Sequence, residues 1–139
     1  MTLFDEALKE IYLRTTYIAF TPLGEIHIRI GHDNQLLDQL LIHHGVNDWC
    51  FVTAWNPYSA TASKEDNLRW NFALEQELKQ SFVVFGGIGK GEDSGWPAEE
   101  SFLVIGISPP ESIDFAKKYQ QNAIVVGHLK NPATLLITV

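Results

Sequence analysis

The spacing of apolar residues changes along the chain between the helical period of about 3.6 and the strand period of two. At the start, apolar residues recur at the helical period, and Thr2 with Asp5 three residues later has the spacing of a capping box. Residues 25–30 instead alternate between isoleucine and polar side chains, and a Pro-Leu-Gly turn separates them from an apolar run at residues 16–20. The chain is therefore predicted to open with a helix whose apolar stripe packs on a sheet, followed by a β-hairpin.

The rest of the chain continues this alternation of helices and strands. Asn34, Ser63 and Ser108 are good capping residues, and each stands directly before a helical pattern. The helices predicted from these caps cover residues 34–44, 63–80 and 108–119. Strands are predicted at residues 49–53, 82–85, 101–107, 122–127 and 134–139. The glycine-rich residues 86–95 predict a mobile surface loop.

The order of these elements bears on the fold class. After the first helix it is β-β-α-β-α-β-β-α-β-β, which lacks the strict alternation of a doubly wound sheet. We therefore expect an α+β protein in which about four helices pack on a mixed or mostly antiparallel sheet. The length of 139 residues and the apolar fraction of 45% suit a single domain over residues 1–139.

Charge and composition exclude several classes of partner. The formal net charge of −7 opposes a phosphate backbone, and the lysines and arginines are scattered along the chain, so nucleic acid is not expected as a partner. No apolar run approaches the roughly 18–20 residues that span a bilayer, and the acidic N-terminus lacks the features of a signal peptide. We predict a cytoplasmic protein with no membrane partner, whose oligomeric state the sequence leaves unknown.

The sequence offers little support for metal or cofactor chemistry. Cys50 is the sole cysteine and lies in an apolar run, so we favour a buried, inert thiol over a nucleophile. The five histidines lack the spacing of zinc ligands. Around Gly89 and Lys90, Val84 stands where a P-loop requires glycine and Gly91 where it requires a hydroxyl, so a lid or plain surface loop is favoured over a phosphate site. No cofactor and no metal are therefore predicted.

Polar segments beside apolar strands mark the best candidate site. Residues 53–59 follow one apolar run, residues 95–100 precede a second, and residues 120–122 precede a third. A helical projection also places two asparagines of the third helix on its core-facing stripe. Because an unpaired buried amide costs about 1–3 kcal/mol, we expect these asparagines to bond to the polar segments. The candidate ligand-binding residues are Thr53, Asn56, Ser59, Asn67, Asn71, Trp96, Gln121 and Asn122.

Asn56 and Glu99 each allow two interpretations. Because Asn56 precedes Pro57, an extended backbone is expected, and its amide could hold a ligand or form an Asx turn that only shapes the loop. Glu99 and Glu100 are adjacent, so a strand would point them to opposite faces and at most one could enter a pocket. Glu99 is the candidate general acid or base, since burial beside Trp96 would raise the pKa of its carboxyl. The alternative is a solvated glutamate at the entry of a strand.

The ordered polar motifs resemble an uncharacterised bacterial family that is catalogued only as a domain of unknown function. They are Thr-Ala-Trp-Asn-Pro-Tyr-Ser at residues 53–59, Asn67 with Asn71, Gly-Trp-Pro-Ala-Glu-Glu-Ser-Phe-Leu-Val at residues 95–104, and Gln-Asn-Ala-Ile at residues 121–124. The resemblance extends from about Tyr17 to Val126. It implies a small bacterial intracellular protein and carries over no reaction.

Two functions of different classes fit these features. The first is a pocket for a small polar metabolite that is read by amide side chains, with Trp55 or Trp96 as an apolar wall. An enzymatic version makes Glu99 the acid or base and closes the glycine-rich loop as a lid. The second is a non-catalytic protein whose amides form a structural network and which binds a protein partner through exposed aromatics such as Trp55, Tyr58 and Trp96. The sequence leaves both interpretations open.

Overall fold

The computed structural model describes residues 4–92 and 97–139, which form four α-helices and one seven-stranded sheet. The helices are α1 (Glu6–Arg14), α2 (Gln35–His44), α3 (Lys64–Lys79) and α4 (Pro109–Lys118). The strands are β1 (Thr16–Thr21), β2 (Gly24–Ile28), β3 (Asp48–Val52), β4 (Val83–Lys90), β5 (Glu99–Ile105), β6 (Ala123–His128) and β7 (Thr134–Ile137). A single 3-10 turn, Pro57–Ser59, lies between β3 and α3. The predicted α+β class and the predicted order of elements are confirmed.

The sheet has the strand order β2-β1-β4-β5-β3-β6-β7, and every neighbouring pair of these strands is antiparallel. Its two edges approach each other, because Ile30 just beyond β2 forms a parallel bridge with Ala133 just before β7. The Gly31 N–H also donates to the Ala133 carbonyl at 2.8 Å. The sheet is therefore curled like an incomplete barrel, with a concave and a convex face.

Each face of the sheet carries its own core. On the concave face, Leu37, Leu40 and Leu41 of α2 pack against residues from β1, β2, β3, β5 and β6. The Tyr17 and Phe51 rings meet there with centroids 5.3 Å apart, although two strands separate β1 from β3 in the sheet. On the convex face, Leu74 and Leu78 of α3 and Ala116 of α4 cover the alternate residues of β3 and β5. Burial on both sides explains why the central strands are continuous apolar runs in the sequence.

The predicted glycine-rich loop is wrong over residues 86–90, which belong to β4. Gly87 pairs with Ser101 of β5 and with Ala19 of β1, so the ladder continues through the glycines on both sides. A Cβ atom at Gly87 would collide with the Ile18 carbonyl oxygen and lie 3.0 Å from the Phe51 ring. Glycine at this position allows β1 and the Phe51 ring to lie close to the β4 backbone on the concave face. A rule based on glycine content alone predicts a loop instead. Residues 93–95 of the predicted loop lie outside the described residues.

The start of the first helix also differs from the prediction. Helix α1 begins at Glu6, and Asp5 is its N-cap, with a side-chain oxygen accepting from the Leu8 N–H at 2.9 Å. The predicted cap, Thr2, lies outside the described residues. Asp5 serves as the cap itself, because aspartate with an extended backbone is among the best N-caps. The other predicted caps, Asn34, Ser63 and Ser108, are confirmed.

Candidate functional site

Asn71 of α3 fixes the chain as it leaves β3. Its Oδ1 accepts hydrogen bonds from the Ala54 N–H at 2.7 Å and the Thr53 hydroxyl at 3.3 Å, and its Nδ2 donates to the Glu100 carbonyl at 2.8 Å. The Thr53 hydroxyl also lies 2.6 Å from the Glu100 carbonyl and accepts from the Trp55 N–H at 3.1 Å. The expected pairing of the α3 amide with a polar segment is confirmed. Protein partners occupy the polar atoms of both candidate side chains.

Asn56 has a left-handed backbone, with φ 47° and ψ 70°, so the predicted extended conformation is wrong. Asparagine tolerates this region, and three hydrogen bonds hold it there. Its Oδ1 accepts from the Ala62 N–H at 3.0 Å and from the Asn67 Nδ2 at 2.9 Å, while its own N–H donates to the Asn67 Oδ1 at 2.8 Å. The remaining amide group, Nδ2, donates to a Glu99 carboxylate oxygen at 3.4 Å. Asn56 thus shapes the loop and also faces Glu99.

The loop that follows Asn56 carries unusual backbone conformations. Tyr58 and Ser59 also have positive φ angles, as does Gln120 in the segment after α4. The Tyr58 N–H donates to the Gln120 carbonyl at 2.6 Å, so the two segments are clasped together. Holding a residue other than glycine at a positive φ angle costs about 1–3 kcal/mol, and such residues concentrate at functional sites.

Gln121 and Asn122 lie side by side but have different surroundings. The Gln121 Nε2 donates to the carbonyls of Trp55 and Tyr119 at 3.3 and 3.2 Å, which ties the loop to the end of α4. The Asn122 Nδ2 donates to the Ser59 hydroxyl at 2.9 Å. The Asn122 Oδ1, on a residue that is only 1% exposed, has no hydrogen-bond partner among the described residues. Asn122 therefore presents an unused acceptor.

Glu99 begins β5 on the concave face and is half-buried. The register places it in one row across the sheet with Gly89 of β4 and Tyr17 of β1. Burial raises the pKa of its carboxyl, and the hydrogen bond from Asn56 opposes that rise. Glu100 is exposed and lines the convex side, so the expected division of the two glutamates between opposite faces is confirmed. Of the two, Glu99 is the one that burial perturbs.

Tyr12 and Tyr17 surround Glu99, and neither was found by sequence reasoning. The Tyr12 hydroxyl lies 3.5 Å from the Ala123 carbonyl, and the Tyr17 hydroxyl donates to the Tyr12 carbonyl at 3.2 Å. Burial first, and then the charge of Glu99, raise the pKa of Tyr12 to about 12, although hydrogen bonds to Ala123 and Ser59 lower it. The available signal was a phenol on the apolar stripe of the first helix, since a buried tyrosine hydroxyl needs a polar partner.

Five side chains from four separate segments therefore meet at one end of the concave face. We call Tyr12, Asn56, Ser59, Glu99 and Asn122 the Glu99 cluster. Ser59 is its exposed member and Asn122 its most buried one. Thr53, Asn67, Asn71 and Gln121 support the surrounding backbone instead of entering the cluster. Trp96, the remaining candidate, lies outside the described residues.

Two surface hollows lie away from the Glu99 cluster. One of about 490 Å³ lies behind the loop that carries Asn56, between Trp70 of α3 and Tyr119 at the end of α4, and four of its nine lining residues are alanine or proline. A groove of about 420 Å³ on the convex face is lined by Phe20, Leu68 and Phe72 among others. The candidate amides line neither hollow. The two hollows and the polar side chains of the candidate site therefore lie at different places on this protein.

Cys50 is completely buried on the convex side of β3, as expected, and burial raises the pKa of its thiol to about 12. Within residues 4–92 and 97–139, no three histidine, cysteine, aspartate or glutamate side chains come together as metal ligands. Every helix in the same ranges is too short or too polar to span a lipid bilayer.

The geometry describes an α+β protein with a polar cluster at one end of a curled antiparallel sheet. Residues 52–124, a little over half of the chain, match the family described as "Protein of unknown function (DUF3293)". The chain therefore belongs to this family, and the resemblance predicted from its motifs is confirmed. The matched range contains every candidate residue predicted from the sequence, whereas Tyr12 and Tyr17 precede it. No curated protein and no solved structure matches the chain. Bacterial origin and cytoplasmic location stay predictions.

Proposed function

We propose that this protein binds a small polar molecule at the Glu99 cluster, and that Glu99 can exchange a proton with it. The observation that carries the proposal is a half-buried carboxyl that has no counter-ion among the described residues. In the described ranges, no lysine, arginine or histidine forms an ion pair with Glu99. Its one side-chain partner there is the Asn56 amide at 3.4 Å, a long contact for a carboxylate.

The free energy of an isolated buried carboxylate supports a binding role. Removing a carboxylate from water without compensation is costly, and such groups are retained mainly where function requires them. A bound polar molecule would donate hydrogen bonds to the Glu99 carboxyl in addition to the long one from Asn56. It would also find a carboxyl whose pKa burial raises above the ordinary value of a glutamate, which is the direction that favours proton exchange near neutral pH.

The other candidate residues would act indirectly. Asn67 holds both the backbone and the side chain of Asn56, so it would orient the amide that faces Glu99. Asn71 and Thr53 fix the neighbouring strand ends through the Glu100 carbonyl. In this proposal the amide network positions the loop, and the ligand contacts are made by the Glu99 cluster. The proposed lid does not include residues 86–90, because they are part of β4.

The first experiment is thermal unfolding of the protein against a panel of nucleotides, amino acids, sugars and divalent metal ions. A ligand present at about 100 times its dissociation constant adds about 2.7 kcal/mol to the free energy of unfolding, which gives a clear rise in Tm. We expect Glu99→Gln to abolish the rise, and we expect Glu100→Gln, a neighbouring change on the opposite face, to preserve it.

Gly89→Ala provides a steric test of the same site. A Cβ atom at Gly89 would touch Thr15 and Tyr17 only at the ordinary distance of 3.8 Å, so the fold should accept it. The methyl group would nevertheless enter the concave face in the row that contains Glu99. A ligand that still binds Gly89→Ala and Glu99→Gln with full affinity lies elsewhere, and the proposal would then be wrong.

A protein-binding role is the second candidate, and the convex groove favours it. Phe72 is 64% exposed, and Phe20 and Leu68, at 48% and 40%, line the same groove. Such grouped apolar exposure is typical of interaction surfaces. These are different aromatics from Trp55 and Tyr58, of which Trp55 is half-buried. Comparing the sedimentation and co-purified proteins of wild type and Phe72→Ser tests this role, with the exposed Gln76→Ser on the same helix as control.

A further inference from the structure

Building on the proposed function, we propose that the ligand of the Glu99 cluster is a small organic cation that carries N–H donors, such as a protonated amine. The inference rests on two features that point the same way. One is the surplus of hydrogen-bond acceptors in the cluster, and the other is the sign of its charge.

Asn122 supplies the first feature. Its Nδ2 is already bonded to the Ser59 hydroxyl at 2.9 Å, while its Oδ1 has no partner among the described residues. The residue is 1% exposed, so bulk water does not reach this oxygen freely. A buried acceptor without a donor is unfavourable, and a ligand N–H group would satisfy it.

The other polar atoms of the cluster also favour a donor-rich ligand. The Glu99 carboxylate can accept several hydrogen bonds and receives one from Asn56, at 3.4 Å. The Ala123 carbonyl accepts a long contact from the Tyr12 hydroxyl, at 3.5 Å. Ser59 lies between the two sides of the cluster, because its hydroxyl accepts from the Asn122 Nδ2 and lies close enough to Tyr12 to lower the pKa of that phenol. An ammonium group has three donors and no acceptor, which complements this set.

The charges that face the cluster supply the second feature. Burial is the main reason that the pKa values of Tyr12 and Tyr17 are raised, and the negative charge of the nearby Glu99 acts in the same direction. Arg29 has the smallest influence on Tyr17, whose pKa it lowers, and its guanidinium donates to two neutral oxygens, the Arg14 carbonyl at 3.0 Å and the Thr16 hydroxyl at 3.2 Å. No lysine, arginine or histidine among the described residues forms an ion pair with Glu99, so an anionic ligand would meet a carboxylate without a direct cationic partner. A cation would supply the missing charge.

A trio of probes with the same carbon skeleton tests the sign of charge directly. We would titrate n-propylammonium, n-propanol and propionate into isotopically labelled protein at constant ionic strength and follow amide signals by two-dimensional NMR. We expect propylammonium alone to shift the signals of residues 56–59, 99 and 122–123 in a saturable manner. Glu99→Gln should weaken this binding by about thirtyfold or more, because it removes the charged partner. Glu100→Gln should leave it unchanged, and so separates the site from general attraction to an acidic protein.

The outcomes separate this inference from the proposed function. Tighter binding of propionate or propanol, or binding of propylammonium that Glu99→Gln does not weaken, would overturn the cationic ligand. If a ligand of another charge class is found that Gly89→Ala blocks, the polar site stands and only its ligand class is wrong. If no probe binds and the wider metabolite panel also gives no shift, both are wrong. Gly89→Ala keeps the test valid even if Glu99→Gln does not fold.

Discussion

The Asn71 Oδ1 accepts a 2.7 Å hydrogen bond from the Ala54 N–H, and this bond connects the segment directly after β3 to the middle of α3. Because the same amide also donates to the Glu100 carbonyl at 2.8 Å, one side chain holds the ends of two neighbouring strands. This bond network gives Asn71 a structural role that can be measured separately from ligand binding.

Asn71→Ala should lower the free energy of unfolding by about 1–3 kcal/mol, because it leaves the buried Ala54 N–H without its acceptor and removes one of the two side-chain hydrogen bonds to the Glu100 carbonyl. Urea unfolding measures the change. Gln76→Ala on the exposed face of the same helix is the control and should change stability by less than about 0.5 kcal/mol. Equal stability of Asn71→Ala and wild type would show that the network does not support the fold.

Gly87→Ala should destabilise the protein by about 1–3 kcal/mol or more, because its methyl group would collide with the Ile18 carbonyl and press on the Phe51 ring. Gly86→Ala is the matched control, since nothing lies within 4 Å of a Cβ at that position. Urea unfolding of both variants decides the matter. A surface loop at residues 86–90 would tolerate both changes equally, so a difference between them tests the assignment to β4.

Glu99→Gln should raise the free energy of unfolding at neutral pH. Because the folded-state pKa of Glu99 is raised, the folded protein binds more protons than the unfolded chain above about pH 4.5, the ordinary pKa of a glutamate. Stability therefore falls as pH rises through the interval between the unfolded and folded pKa values, and a tenfold difference in proton affinity is worth about 1.4 kcal/mol. Burial raises the pKa values of the facing phenols, Tyr12 and Tyr17, away from this interval.

The measurement is urea unfolding of wild type, Glu99→Gln and Glu100→Gln from pH 4 to pH 8. Glu99→Gln should lack part of the decline that wild type and Glu100→Gln share. A stability loss of about 1–3 kcal/mol in Glu99→Gln at neutral pH would instead identify Glu99 as a structural hydrogen-bond partner.

Cys50 should react with thiol reagents only when the protein unfolds. It is completely buried, and burial raises the pKa of its thiol to about 12, so the reactive thiolate is scarce and inaccessible in the folded state. The labelling rate should rise with urea in parallel with unfolding, and Cys50→Ser should show no labelling. Rapid modification in native buffer would contradict the buried position.

Much of the fold could be predicted because it follows from short-range sequence patterns. These patterns predicted the caps of α2, α3 and α4 and the hairpin of β1 and β2. They also predicted the buried face of α3, which consists of Asn67, Asn71, Leu74 and Leu78. The candidate site was predicted in part. The polar segments at the strand ends predicted that Asn56 and Glu99 would lie close together, and they do. Thr53, Asn71 and Gln121 instead form hydrogen bonds with backbone groups of the protein.

The sequence by itself determined the elements, the fold class and the family, because periodicity, capping residues and ordered motifs are properties of neighbouring positions. Only the tertiary structure decided that Gly87 and Gly89 lie inside a strand, that Asn56 is left-handed, and that Tyr12 faces Glu99. The glycine positions and the place of Tyr12 depend on the curl of the sheet, which brings β1 and α1 near residues of β3 and β5 that are distant in sequence, whereas the Asn56 conformation depends on its hydrogen bonds to Asn67 and Ala62. Contacts between elements that are distant in sequence depend on which of their surfaces can be buried against each other. A single sequence does not show which surfaces pair in this way.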